Sequence, residues 1–221
     1  CLAATPPSTH PVDPPAVRRA ARRLRGGKSV PSGTVPAEVW KVLAGTYAST
    51  MARLIGAASQ SVSEYWTCGK AVPIDKGNRK AGPESKRLLH LVSASSKLFG
   101  GAAWAQVCSA GPPQVDEAQF GFVQHRGCQE ATLLKDETVR RLLQDWDLLR
   151  VSLDIRQAFP SVGHEALLDN VMTWPEASRE HGLLMLGVLY RSTATLTCPG
   201  DPPGTLGISR GVRQGSTEGP H

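Results

Sequence analysis

The chain has 221 residues, of which 40% are hydrophobic and 20% charged, which suffices for one domain with a hydrophobic core. It contains no run of 18 apolar residues, so the sequence predicts no membrane span. The five cysteines are scattered and form no CxxC pair, which argues against a disulfide framework or a zinc module and favours a reducing compartment.

The net charge of +6 is unevenly distributed along the sequence. Residues 1–30 carry six Lys or Arg against one acid, residues 70–97 carry seven against two, and residues 98–221 carry ten against fourteen. Two basic segments beside an acidic remainder are typical of a protein that holds a polyanion at defined places. The alternative for each charge run is a solvated surface.

The first third of the sequence predicts an irregular lead and then helices. Residues 1–14 are rich in Pro, Ser and Thr and are expected to be disordered. Pro14-Pro15 can open a helix, and AVRRAARRLRGG (16–27) then predicts an amphipathic one. Its expected buried face consists of Val17, Ala20, Ala21 and Leu24. VPAEVWKVL and YASTMARLIGAAS predict further helices, so residues 15–65 are expected to form an upstream helical segment.

The rest of the sequence mixes helices and strands. AVPI (71–74) predicts a short strand, and a polar loop that carries Lys76 and Arg87 follows it. CQEATLLKDETVRRLLQDW (128–146) predicts a long amphipathic helix, and LLRVSLDI (148–155) is apolar enough to predict a buried strand. GHEALLDNVM and EASREHGLLMLGVLY predict helices, and TATLTC with TLGIS predicts a hairpin. Because strands and helices do not alternate regularly, we expect an α+β fold.

Three stretches carry residues suited to chemistry. Asp154 ends the apolar stretch 148–155, where a carboxylate can hold a divalent metal ion or simply cap the following turn. In GVRQGSTEGP (211–220) the glycines let the backbone approach a flat ligand, and Gln214 offers both a donor and an acceptor. Lys76 and Arg87 can neutralise phosphates. The alternative for the stretch 211–220 is a plain hydrophilic loop, and the alternative for the stretch with Lys76 and Arg87 is a solvated loop.

Five stretches follow one another along the chain: GGKSVPSGTVPAEVWKVL (26–43), YWTCGKAVPIDKGNRKAGPESKRLLHLVSASSKLF (65–99), QFGFVQHRGCQEA (119–131), SLDIRQAFPSV (152–162) and LYRSTATLTCPG…GISRGVRQGSTEGP (189–220). In this order they resemble the reverse transcriptases of non-LTR retrotransposons. The first four are similar to the family's upstream GKAPGPDGIPAEVLK segment, to its fingers, to its QfGFr segment and to the palm motif D-x-x-x-A-F-D-x-V. The fifth is similar to its rGvrQGc loop.

The resemblance covers nearly the whole chain. It implies the fingers and part of the palm of a right-hand polymerase in residues 66–221, with an antiparallel palm sheet packed on helices. Such an enzyme adds deoxynucleotides to the 3′ end of a DNA primer on an RNA template by two-metal phosphoryl transfer with Mg²⁺. The compartment implied is the nucleus or the cytoplasm, and the oligomeric state stays open.

The resemblance also implies roles for individual residues. Asp154 and the carbonyl of Ile155 would bind the two Mg²⁺ ions, and Phe159 would be the steric gate that excludes a ribose 2′-OH. Lys76 and Arg87 would hold the incoming triphosphate, and the nucleotide and template pocket would be lined by Gln214 and Gly215. The expected nucleic-acid contacts are Arg18, Arg19, Arg22, Arg23, Arg25, Lys28, Arg126 and Arg213.

The sequence departs from the family pattern at several places. Leu88 replaces the usual Pro of the fingers, Val123 replaces an Arg, Pro160 replaces a frequent Asp, and residues 216–219 replace CPLS. The aromatic-Ala-Asp-Asp motif, which supplies the remaining metal ligands, and the thumb do not occur in these 221 residues. We therefore expect a polymerase fragment that is inactive by itself.

Two other readings are compatible with the same residues. A decayed retroelement remnant would bind nucleic acid only non-specifically, through its basic segments. An RNA-templated RNA polymerase shares the logic of the palm, but Phe159 and the Arg-Gln-Gly loop argue against it.

Overall fold

The computed structural model describes residues 12–58, 64–77, 82, 85–111, 114–123, 125–155, 157–197 and 202–213. Helices and a four-stranded sheet make up this part of the chain, which confirms the α+β prediction. The helices are α1 (Pro14–Arg23), α2 (Ala37–Ala58), α3 (Glu64–Thr67), α4 (Ala94–Ala110), α5 (Cys128–Leu142), α6 (Ala158–Ser161), α7 (His164–Met172) and α8 (Glu176–Tyr190). The strands are β1 (Cys68–Asp75), β2 (Lys86–Val92), β3 (Thr193–Leu196) and β4 (Gly204–Gly207).

The sheet has the strand order β2-β1-β3-β4. β1 pairs antiparallel with β2, placing Ala71 opposite His90, and β3 pairs antiparallel with β4 as the predicted hairpin. β1 and β3 run parallel, with Ala71 opposite Leu196. The expectation of an antiparallel sheet is therefore wrong for the β1–β3 pair, because the helical connection from β2 to β3 brings the chain back parallel to β1.

Helix α1 begins and packs as its sequence predicts. Asp13 caps it by accepting a hydrogen bond of 2.6 Å from the backbone N–H of Ala16, and Pro14 and Pro15 occupy the first turn. Val12 is buried, so the last residues of the expected disordered lead belong to the folded body; residues 1–11 lie outside the described residues. The predicted buried face is confirmed at all four positions, Val17, Ala20, Ala21 and Leu24.

The main hydrophobic core joins α1, α2, α4 and α8. Small residues allow α1 and α4 to approach closely, since a Cβ added at Gly101 would lie 3.2 Å from the Cβ of Ala20. Phe99 of α4 is buried and stacks on Trp66 with ring centroids 4.3 Å apart. None of the helices in the described residues is both long and apolar enough to cross a membrane.

The predicted buried strand 148–155 is not formed. This stretch has no regular secondary structure, and Leu149 and Leu153 are 87% and 91% exposed. An apolar run becomes a buried strand only if another strand offers its backbone and a second layer covers its faces. The strands β1 to β4 pair with one another instead, and none of them borders this stretch.

Candidate functional site

Two stretches that are about 50 residues apart in sequence lie against each other at one place. The backbone N–H of Gly211 donates to the carbonyl of Val162 over 2.7 Å, and that of Val212 donates to the carbonyl of Phe159 over 2.9 Å. These bonds join α6, in the stretch that resembles the palm motif, to the start of the GVRQG loop. We call the contact between residues 158–162 and 211–213 the loop junction.

Glycine is required at position 211 of the loop junction. Its φ is +80°, in the left-handed region, and an added Cβ would lie 2.6 Å from the Cα of Pro160. No rearrangement of a flexible side chain could relieve this contact, because the opposing atoms belong to the backbone. The sequence suggested that Gly211 admits a ligand; in the structure it admits the backbone of Pro160.

His164, at the start of α7, fixes the same loop from a second side. Its Nε2 atom lies 2.8 Å from the carbonyl oxygen of Gly211, and its ring packs on that of Tyr190 with centroids 5.0 Å apart. Both His164 and Gly211 are buried. Burial raises the pKa of Tyr190, and the nearby carboxylates of Glu165 and Asp169 raise it further. Sequence reasoning missed His164, because a single histidine at a helix start carries no signal of its distant partner.

Arg213 lies inside the protein. Its side chain is among the largest that are fully buried, and its Nη1 atom donates to the carbonyl of Trp66 over 3.0 Å. The side chain thus connects the GVRQG loop to the end of α3. The predicted contact of Arg213 with nucleic acid does not fit this burial, because a phosphate could not reach the guanidinium group as it is placed here.

Phe159 is half-buried, and its ring has an aromatic neighbour. Phe122 lies edge-to-face on it, with ring centroids 6.4 Å apart and planes at 87°. Phe122 has a φ of +61° and belongs to the QFGF stretch, the third of the five that resemble the family. Three of the five stretches therefore meet at the loop junction. Phe122 was not predicted as a site residue, although it lies within one of the quoted stretches.

Asp154 and Ile155 are exposed and precede the loop junction directly. Between them and α6, Gln157 adopts a left-handed conformation with a φ of +56°. Within the described ranges, no group of three or more His, Cys, Asp or Glu side chains is placed to hold a metal ion. Asp154 and the Ile155 carbonyl could therefore supply part of a magnesium site, and further oxygen ligands would have to come from other residues.

The two candidate phosphate ligands lie at the end of the β1–β2 pair. The backbone N–H of Lys76 donates to the carbonyl of Ser85 over 2.8 Å, which closes this end of the pair. Arg87 lies within β2, opposite Ile74, so its predicted position in the polar loop is wrong. Both side chains are exposed. Gln214 and Gly215 lie outside the described residues.

The predicted nucleic-acid contacts separate into two groups. The first group is exposed on or just after α1 and consists of Arg18, Arg19, Arg22, Arg23, Arg25 and Lys28. Of these, Arg19 has Asp13 at 4.0 Å. The second group consists of Arg213, described above, and Arg126. The Nη1 atom of Arg126 donates hydrogen bonds to the carbonyls of Asp116, Glu117 and Gln119 and thereby holds that loop together. The α1 face is thus the part of this set that can meet a polyanion without rearrangement.

No protein-family model matches this chain, and no curated protein is significantly similar to it.

Proposed function

We propose that this chain is the fingers and partial palm of a reverse transcriptase of the non-LTR retrotransposon type. The observation that carries the proposal is the loop junction, where Phe122, Phe159 and Gly211 from three of the five resembling stretches meet. If Phe159 is a gate beside the sugar and Gln214 borders the same nucleotide, their stretches must be neighbours in space. The hydrogen bonds between residues 158–162 and 211–213 support that requirement.

The proposed roles follow from position and chemistry. Bound Mg²⁺ would stabilise the attacking and leaving oxygens of the transferred nucleotide. Asp154 and the Ile155 carbonyl would hold it, and the Phe159 ring, supported by Phe122, would occupy the space that a 2′-OH needs. Exposed Lys76 and Arg87 would neutralise the triphosphate. Because one carboxylate is a small part of a two-metal site, we expect the intact parent to extend primers and these 221 residues alone not to.

A second candidate is a remnant that only binds nucleic acid. The exposed arginine face of α1 favours it, because such a face attracts phosphates without any intact catalytic site. Both candidates predict binding that weakens as the salt concentration rises and that is independent of sequence. Only the polymerase fragment should respond to the identity of the next nucleotide.

The experiment uses an RNA template annealed to a fluorescent DNA primer that ends in a dideoxynucleotide, so that the complex can form but no chemistry occurs. With Mg²⁺ present, we expect the dNTP that matches the next template base to slow dissociation of the complex several-fold, measured by anisotropy after adding competitor. Mismatched dNTPs and the matching ribonucleotide should have no effect. The Phe159→Ala variant should respond to the ribonucleotide as well, because the space for a 2′-OH is then open.

Asp154→Asn should abolish the response to the dNTP, whereas Asp169→Asn, which changes an exposed aspartate on α7, should leave it intact. Salt-dependent binding with equal responses to matched and mismatched dNTPs would overturn the polymerase proposal and support the remnant. Binding that does not change with salt would contradict both candidates.

A further inference from the structure

The segment Leu149–Ile155 presents an apolar face to solvent. Its large apolar side chains occur at every second position, and Leu149, Val151, Leu153 and Ile155 are all at least 67% exposed. Between them stand Arg150, Ser152 and Asp154. This strict alternation is the pattern of a strand with one face to bury, yet in the described residues nothing buries it.

The apolar surface continues from this segment onto α5. An open groove of about 490 Å³ lies between them, and Phe120, Leu134, Leu142 and Leu148 contribute to its lining. α5 itself has no buried residue, and Leu133, Leu143 and Trp146 are also exposed. Large apolar side chains exposed next to one another in this way are typical of an interaction site.

The backbone of the segment is also available. Among the described residues, no backbone hydrogen bond joins residues 149–155 to another part of the chain. Arg150 and Asp154 have no ion-pair partner there either. A stretch with free N–H and C=O groups and an apolar face is a template for pairing with another strand.

The sequence of the segment is complementary to itself. In an antiparallel pair of two copies with Ser152 opposite Ser152, Leu149 lies opposite Ile155 and Val151 opposite Leu153. Arg150 of each copy then lies opposite Asp154 of the other. All apolar side chains fall on one face, and two opposite-charge pairs fall on the other, symmetric about a two-fold axis at Ser152.

We propose that residues 149–155 of two copies of this chain pair in this register and form a homodimer. Neighbouring registers lose both Arg150–Asp154 pairs: a shift of two residues in one direction places Arg150 opposite the uncharged Ser152, and in the other direction opposite Arg156. A parallel, in-register pair would place Arg150 beside Arg150 and Asp154 beside Asp154. Pairing with a strand of a different protein would not explain why Arg150 and Asp154 lie symmetrically on either side of Ser152.

The dimer gives Asp154 a partner that one copy lacks. In this pair its carboxylate faces Arg150 of the partner subunit, so the dimer and the proposed metal site use the same carboxylate and exclude each other. The two Leu149–Ile155 faces form a continuous apolar surface that joins the exposed leucines of both α5 helices. The pairing itself does not depend on the proposed polymerase function, because it uses only the self-complementarity and exposure of the segment.

Charge reversal tests the register. We expect sedimentation of the 221-residue chain between about 1 and 100 µM to show reversible dimerisation. Arg150→Asp and Asp154→Arg should each weaken it roughly tenfold or more, because two attractive pairs become repulsive. The double variant R150D/D154R should restore it. The single changes alter the net charge in opposite directions, so a general charge effect would not weaken both. Arg53→Asp, an exposed change on α2, is the matched control and should leave dimerisation unaltered.

A cysteine at the two-fold axis gives a second, independent measurement. Opposite residues of an antiparallel pair lie within the Cα separation that a disulfide spans. Ser152→Cys should therefore form an intermolecular disulfide under mild oxidation, well above the level of the native chain and of Ser161→Cys, an exposed serine on α6. A chain that stays monomeric over this range, single variants that dimerise like the native chain, or a double variant that stays as weak as the singles would each overturn the proposal and leave the face to a different occupant.

Discussion

The helical body and the segment around α5 contain similar apolar side chains but use them differently. In the body, α1, α2, α4 and α8 bury Val17, Phe99, Leu184 and Val188 in one cluster. In α5 and the residues that follow, Leu133, Trp146 and Leu153 are largely exposed. The amphipathic pattern is clear in α1, which buries its apolar face, and in α5, which does not, so a pattern by itself does not bury a face.

The difference lies in what each region offers as a packing partner. α1 and α4 come close because alanines and glycines line their contact, and α8 also packs against α4. Within the described residues, the apolar side chains of α5 border the open groove beside residues 148–151. Burial therefore depends on the shape of the opposing surface, which can lie far away in sequence or on a second molecule.

The largest expected effect is the difference in lost stability between a truncated side chain in the helical body and one in the 148–155 segment. Phe99→Ala should lower the free energy of unfolding by about 3–5 kcal/mol, because it removes a buried ring that stacks on Trp66 and leaves a cavity. Leu153→Ala should change it by less than about 0.5 kcal/mol, since the side chain is exposed. Urea unfolding measures both, at a concentration where the chain is monomeric. Equal losses would mean that the 148–155 segment belongs to the core.

A smaller effect is expected at the loop junction, where backbone packs on backbone. Gly211→Ala should destabilise the protein by about 2–3 kcal/mol, because its φ is positive and the added methyl would collide with Pro160. Gly45→Ala in α2 is the matched control. Nothing lies within 4 Å of the added Cβ there, so this change should stabilise the helix by about 0.5–1 kcal/mol. If thermal and urea unfolding showed that Gly211→Ala stabilises the protein as Gly45→Ala does, the loop junction as described would be wrong.

The smallest effect is expected for Glu38, an exposed residue of α2 that accepts a hydrogen bond from Gly27. Hydrogen bonds from its own backbone N–H and from that of Gly27, the latter at 2.7 Å, lower the pKa of Glu38. A lowered pKa in the folded state means that the ionised carboxylate adds stability above the ordinary pKa of glutamate. This stability is lost as the pH falls through the lowered value.

Glu38→Gln should therefore lower the melting temperature slightly at neutral pH, and the difference from the native chain should vanish in acid. Melting curves between about pH 2 and 7 measure it. Glu64→Gln, which changes an exposed glutamate in the first turn of α3, serves as the control and should not reproduce this pH dependence. A Glu38 effect that persists unchanged in acid would show that its carboxylate charge is not responsible.

The sequence predicted those elements whose signals are local. Asp13, Pro14 and the buried face of α1 lie within a few residues of one another, and α5, α7, α8 and the β3–β4 hairpin have periodic or turn-bounded patterns. α4 was missed because its Ala, Gly and Ser residues give little apolar contrast. β2 was missed because KRLLHLV has neither strict alternation nor a turn signal.

The residues of the candidate site also fall into those that the sequence identified and those that only tertiary contacts identified. Asp154 and Phe159 were assigned to the site because their stretches resemble a known pattern, whereas Gly211 was noted only because a glycine lets the backbone approach a ligand. The structure brings Phe159 and Gly211 together. It does not add a cluster of ligands around Asp154 within the described residues. Phe122 and His164 were identified only from their contacts with Phe159 and Gly211, which are 37 and 47 residues away in sequence.

The sequence by itself determined the start of α1, the amphipathic faces of α1 and α5 and the charge distribution of this protein, because these depend on neighbouring residues along the chain. Only the tertiary structure decided which faces are buried, that Arg213 is a buried donor to Trp66 rather than a surface charge, and that β1 and β3 are parallel. It also decided that residues 148–155 stay exposed. The physical reason is that burial and strand pairing each require a second surface, and the identity of that surface is not encoded in the local pattern.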